Sequence, residues 1–218
     1  MDTDERSARD SVVAAARDLD VQGLNRGTSG NVSVRFRDGL LITPSGLPTA
    51  RMRPEDIVPM GLDGAHPPDQ KPSSEWRFHR DILAHRPEIG AVVHAHPVHC
   101  TAFAMCGREI PAVHYMIAAF GGPTVRCAPY AAYGTAELSE LALAALVDRN
   151  VCLLANHGMI AAGASLEKAL WLAVELETLC HQYAVALQVG APAILSDHEI
   201  HETVERFRGY GLNAPARA

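Results

Sequence analysis

Apolar positions change period several times along the chain, and each change predicts an element. Val12, Val13, Ala16 and Leu19 share one side of a helix over residues 7–19. The Gly-containing stretch GTSGN (27–31) is a turn. After it Val32, Val34 and Phe36 alternate with Ser33, Arg35 and Arg37, the period of a strand. Asp38-Gly39 makes a hairpin turn, residues 40–43 return as a second strand, and Pro44-Ser45-Gly46 ends it. Asp63-Gly64 is a further turn. Pro72-Ser73-Ser74-Glu75 predicts a helix start with Ser at or near the N-cap, Trp76, His79 and Leu83 mark its apolar-leaning face, and Pro87 closes it. Residues 91–96 form a strand stopped by Pro97, and a short helix covers about 98–105.

The second half repeats this alternation. Leu138, Leu141, Ala145 and Leu146 give a helix over residues 135–147. Residues 151–155 and 159–161 are two strands around Asn156-His157-Gly158. Residues 165–188 form the longest helix, and Ser196-Asp197-His198-Glu199 fits a capping box that starts a last helix running to about Arg208. Several strands are joined by tight turns. The expectation is therefore an α/β fold with a largely antiparallel or mixed sheet covered by helices.

Composition narrows the setting. With 218 residues and 48% hydrophobic content the chain can bury one sizeable core, so residues 1–218 are expected to form a single domain. A net charge of −6 leaves no broad cationic surface for nucleic acid or an anionic membrane. Five cysteines, none in a CxxC spacing, read as buried free thiols in a reducing compartment. The opening MDTDERSARD is too charged for a signal peptide, and no apolar run reaches the length of a membrane span. A cytoplasmic location is the expectation.

Candidate chemistry centres on histidine. His94 and His96, two apart on a strand, point to one face and can meet one metal ion. His157 sits in a polar turn between two apolar strands, where a side chain is aimed rather than packed. Eleven histidines leave a chance pair open as the alternative, with His99 and His114 as ordinary paired polar groups. Glu75 is a candidate base, although a carboxylate at a helix start is more usually there for the dipole. Ser73 and Ser74 at that helix start, with GTSGN and TPSG, can offer N–H and hydroxyl groups to a phosphate without Lys or Arg.

Eight stretches carry a resemblance: LNRGTSGNVSVR (24–35), LITPSG (41–46), PSSEWRFH (72–79), AVVHAHPVHCTA (91–102), IPAVHYMIAAFGG (110–122), CAPYAAYGTAELSE (127–140), NHGMIA (156–161) and LEKALWLAVELE (166–177). In these the chain resembles the class II aldolase/adducin-head family, in particular its fuculose-phosphate aldolases. PSSEWRFH and HYMIAAFGG are the most specific. The resemblance implies a central, mostly antiparallel sheet flanked by helical layers, and reversible cleavage of a ketose 1-phosphate to glycerone phosphate and an aldehyde such as L-lactaldehyde. It implies one Zn2+ per chain on His94, His96 and His157, with Glu75 reaching the metal and moving a proton. By resemblance Asn31, Ser45, Gly46, Ser73 and Ser74 take the phosphate, and Tyr115 serves a neighbouring subunit as proton donor. Phe207 and Tyr210 close the aldehyde pocket, which Tyr133 also touches. A homotetramer with sites between subunits is implied as well.

The chain departs from the fuculose-phosphate enzymes at four places. Tyr133 stands where they carry Phe, Ser45 stands for Thr but keeps the hydroxyl, the stretch before the last helix is one residue shorter, and the tail after Tyr210 does not match. Of these, Tyr133 and the tail touch the part of the site that reads the aldehyde. A deoxy- or methylthio-pentulose phosphate aldolase is the nearest alternative. A pentulose-phosphate 4-epimerase would carry Asp at the position of Glu75. A non-catalytic adducin-head-like interaction domain would have broken ligands.

Overall fold

The computed structural model describes residues 2–207; Arg208, Tyr210 and the tail lie outside them. Its elements are α1 (Thr3–Val21), β1 (Asn31–Phe36), β2 (Gly39–Ile42), β3 (Val58–Gly61), α2 (Trp76–His85), β4 (Ala91–Ala95), α3 (Val98–Met105), β5 (Cys127–Ala128), α4 (Ala136–Ala145), β6 (Val151–Leu154), β7 (Gly158–Gly163), α5 (Leu166–Val189) and α6 (Asp197–Phe207). Short 3-10 turns join them, the longest at Tyr115–Phe120.

The strands form one seven-stranded sheet in the order β3-β2-β1-β4-β7-β6-β5. Every pairing is antiparallel except β5 with β6. Side-chain alternation across the sheet makes two cores. Val32, Leu41, Val93 and Leu153 face α1, α3 and α5, whereas Ile42, Val92, Cys152 and Ile160 face α2 and α4. The sheet thus lies between helical layers, as expected.

Local chemistry sets the helix ends. Ser196 and Glu199 satisfy each other's backbone N–H groups, the capping box read from the sequence. Thr135 and Ser165 cap α4 and α5. The start of α2 departs from expectation. Its N-cap residue is Glu75, which makes no side-chain cap, while Ser73 Oγ accepts from Glu75 N at 3.3 Å. The carboxylate is used elsewhere, and the serine closes the turn one step early. The thiols also need one correction. All five are free, and Cys100, Cys152 and Cys180 are buried, but Cys127 is half-buried and Cys106 at the end of α3 is exposed. Among the described residues no helix is long and apolar enough to cross a membrane.

Candidate metal centre and cleft

The register of β4 builds the centre. His94 shares the side of the sheet taken by Val92, beside α2, and its cross-strand partner in β1 is Asn31. His96 follows one residue after the end of the strand, its backbone N–H held by the buried Asn25 Oδ1 at 3.3 Å. His157 is delivered by the β6–β7 turn, in which Asn156 adopts φ 55°, a conformation Asn tolerates better than most residues. The next residue has to be glycine. A Cβ on Gly158 would lie 2.6 Å from both Ala95 O and His96 Cδ2.

The three rings converge, and their ligand atoms all lie within 4.8 Å of one another. His94 Nε2 and His96 Nε2 are 2.9 Å apart. Two 2.0–2.1 Å bonds to one tetrahedral ion would set such nitrogens about 3.3 Å apart. His94 Nδ1 lies 2.9 Å from Met159 O and must donate to it, so Nε2 of the neutral ring carries a lone pair. Glu75 completes the group. Its Oε2 is 3.2 Å from His94 Nε2 and accepts from Asn31 Nδ2 at 3.0 Å, and its Oε1 is 3.0 Å from His157 Nε2. That Oε1 is buried and makes no well-directed hydrogen bond. The His94 lone pair and the carboxylate facing one another at this distance repel unless a proton or a cation sits between them. The donor set, three imidazoles and one carboxylate, fits a divalent metal ion.

Electrostatics agree. Burial alone would raise the Glu75 pKa, but positive charge at its imidazole neighbours, first at His94, and the contact with His157 outweigh it and hold the carboxyl well below its ordinary value, so the carboxylate is favoured wherever a proton or a metal ion supplies that charge. Burial, with His94 and His157 beside it, pushes His96 down to about 4 and leaves its ring neutral.

His94 itself is fully enclosed; His96, His157 and Glu75 open onto a cleft of about 350 Å³. Asn31, Ser45, Gly46, Ser73 and Ser74, from three separate segments, line the same cleft. Its donors are hydroxyl and amide groups, with no Lys or Arg in the lining among the described residues. Tyr133 stands at the rim together with Tyr130, both exposed. Their loop is clasped to the Ser73-Ser74 turn, with Arg77 donating to Gly134 O at 2.6 Å, and a Cβ on Gly134 would meet Ser74 O at 2.5 Å. His99 and His114 are ordinary paired groups, the first against Glu177 and the second capping Met116 N.

Tyr115 is not part of this cleft. It is 52% exposed and lines another opening with Trp171 and Phe207, its ring parallel to that of Phe207 at 6.4 Å. Tyr210 lies outside the described residues. The sequence reading assigned Asn25, Ser33, His79 and Tyr130 no place in the site, although it put His79 on a helix face and Ser33 in a strand. Only the first three are buried polar residues, and no local pattern distinguishes them from core packing.

Residues 10–184 match the class II aldolase and adducin N-terminal domain. The chain belongs to that family. Among curated relatives it is 54% identical over 206 residues to the 5-methylthioribulose-1-phosphate/5-deoxyribulose-1-phosphate aldolase of Rhodospirillum rubrum, covering 94% of this chain and 93% of the relative. It is 52% identical over 191 residues to the L-fuculose phosphate aldolase of Escherichia coli strain K12, covering 87% and 89%. Among solved structures an L-fuculose 1-phosphate aldolase superposes with a TM-score of 0.90 at 36% identity, covering 95% of this chain and 98% of that one. With family and relatives of this kind, the chain is an aldolase, an aldehyde-lyase.

Proposed function

We propose that this aldolase is zinc-dependent and reversibly cleaves a ketose 1-phosphate to glycerone phosphate and an aldehyde. The observation that carries the reading is the convergence of three imidazole nitrogens and one carboxylate at the inner end of a cleft lined by neutral hydrogen-bond donors. In this reading His94, His96 and His157 hold the ion and Glu75 lies against it. A zinc ion there would supply a Lewis acid for the ketone. Glu75 moves the proton at the carbon next to that ketone, as general base in one direction and acid in the other. Asn31, Ser45, Gly46, Ser73 and Ser74 hold the phosphate and so fix the reacting carbon beside Glu75.

The aldehyde half follows from the relatives. L-Fuculose, 5-deoxyribulose and 5-methylthioribulose share an end, remote from the phosphate, that lacks a hydroxyl group. The natural substrate is a 1-phosphate of this kind, and the exposed rings of Tyr130 and Tyr133 at the mouth suit an apolar end. Glu75 in place of Asp speaks against epimerisation, and an intact ligand set speaks against a purely structural role. Tyr115 lies on a different opening from Glu75, which supports a site completed by a neighbouring chain in a cyclic homotetramer, with Phe207 travelling beside it. A cytoplasmic enzyme of small-sugar metabolism is the expected setting.

The test is cleavage of L-fuculose 1-phosphate, 5-deoxyribulose 1-phosphate and 5-methylthioribulose 1-phosphate, each beside its unphosphorylated ketose. Glycerone phosphate should appear from at least one ester and from none of the free ketoses. Equal use of ester and free ketose would overturn the phosphate assignment, and no cleavage of any ester would overturn the reading.

A further inference from the structure

Behind Glu75 runs a line of buried polar groups that begins outside the cleft. Ser33 on β1 and His79 on α2 are both fully enclosed, and neither lines the cleft. Ser33 Oγ is 2.8 Å from His79 Nδ1, and His79 Nε2 is 2.5 Å from Asn31 Oδ1. Asn31 Nδ2 in turn donates to Glu75 Oε2 at 3.0 Å. The direction of every bond follows from the last one. A carboxylate only accepts, so Asn31 must turn its NH2 towards Glu75. Its Oδ1 then faces His79 and must receive the Nε2–H. That leaves a lone pair on His79 Nδ1, which takes the Ser33 hydroxyl proton. Flipping the amide would set Oδ1 against the carboxylate, a repulsive contact in place of a bond that no change of His79 tautomer relieves.

Asn31 Nδ2 carries a second hydrogen, and among the described residues it has no other acceptor. Asn31 also lines the cleft with Ser45, Ser73 and Ser74. We propose that His79 is a positioning residue: through its Nε2–H it locks the Asn31 amide so that one N–H holds Glu75 and the other is presented to the anionic group of the substrate. One side chain then couples the phosphate end of the substrate to the group that moves the proton. The inference rests on the cleft being the aldolase site described above.

The discriminating variants differ in reach. The amide of His79→Gln extends to where Nε2 lies and can still donate to Asn31. The amide of His79→Asn stops near Nδ1 and cannot. Measured with the cleaved ketose 1-phosphate, kcat/KM should stay within about threefold of wild type for His79→Gln and fall roughly tenfold or more for His79→Asn, with metal content unchanged in both. In an Asn31→Ala background the two variants should be indistinguishable, because the residue through which His79 acts is gone. A merely structural His79 predicts the opposite. His79→Gln and His79→Asn would be equally impaired, or the His79→Asn loss would persist undiminished in Asn31→Ala, and either result overturns the proposal. A second readout needs neither of the His79 variants and no turnover, only Ser33→Ala for assignment. In 15N-histidine spectra of the wild-type protein, the resonance pair that moves in Ser33→Ala should show the proton on Nε2, and a proton on Nδ1 instead overturns the proposal. An inactive wild type would sink the aldolase reading while leaving that tautomer test standing.

Discussion

Of the five buried side-chain polar atoms that lack a hydrogen bond among the described residues, two keep very different company. Glu75 Oε1 lies among three converging imidazoles, at the end of a cleft. Lys168 Nζ, in the first turn of α5, lies 3.9 Å over the ring of Trp171 with no hydrogen-bond acceptor among the described residues. Both cost stability where they are. The difference is convergence. Around Glu75 the neighbours all aim at one point, which a cation would satisfy together. Around Lys168 the described residues offer the Trp171 ring and the charge of Glu175 but no hydrogen bond, and these give only partial relief. An unpaired buried group points to function when its neighbours share a focus, and to a tolerated defect when they do not.

Breaking the focus should have the largest effect. His94→Ala removes one of three imidazoles and should lose the metal, by elemental analysis, with turnover falling to background. Next, Glu75→Gln keeps the shape at the start of α2 but cannot take a proton. It should retain metal and fold while kcat falls on the order of 10²–10⁴-fold, and normal hydrogen exchange into glycerone phosphate would deny Glu75 its role. Complementation comes third. His94→Ala and Tyr115→Phe should each be inactive, but co-refolded in equal amounts they should regain about a quarter of wild-type activity, since a site needs its metal from one chain and its tyrosine from the neighbour. No gain on mixing would remove Tyr115 from a shared site. Ser73→Ala or Ser74→Ala should raise KM for the ester roughly tenfold with little change in kcat.

The smallest effect belongs to Lys168. Burial lowers its pKa to about 8 from an ordinary 10.5. The folded chain therefore binds fewer protons than the unfolded one between those values. The penalty is fully present below pH 8 and is relieved as pH rises towards 10.5. Lys168→Met should raise stability by about 1 kcal/mol at pH 7, the gain shrinking above pH 8, because the Trp171 contact already offsets part of the cost. Denaturant melts at pH 7 and 9.5 check both points. A destabilised Lys168→Met at pH 7 would mean that the ammonium is doing something the contrast above denies it.

Much of this was legible in the chain. Alternation and capping signals placed the helices and most strands because those signals are local. Strand β3 escaped, since Pro59 within Val58–Gly61 reads against a strand, and proline is tolerated there only because β3 is the sheet edge. The histidine pair was visible by its spacing, and Glu75 stood out as a candidate base, but only the resemblance set it beside the histidines rather than at the helix dipole. The line from Ser33 through His79 to Asn31 was not visible, because a strand residue and a helix residue 46 positions apart meet only in the folded core. Nor could a pattern along one chain show that Tyr115 opens onto a cleft other than that of Glu75.

The most direct test of the account is a zinc titration of chelator-stripped wild-type protein with ketose 1-phosphate cleavage as the readout. The stripped protein should be inactive and should regain full turnover at one ion per chain, with His94→Ala regaining none. Full turnover before any metal is added, or recovery in His94→Ala equal to that of the wild type, would contradict it.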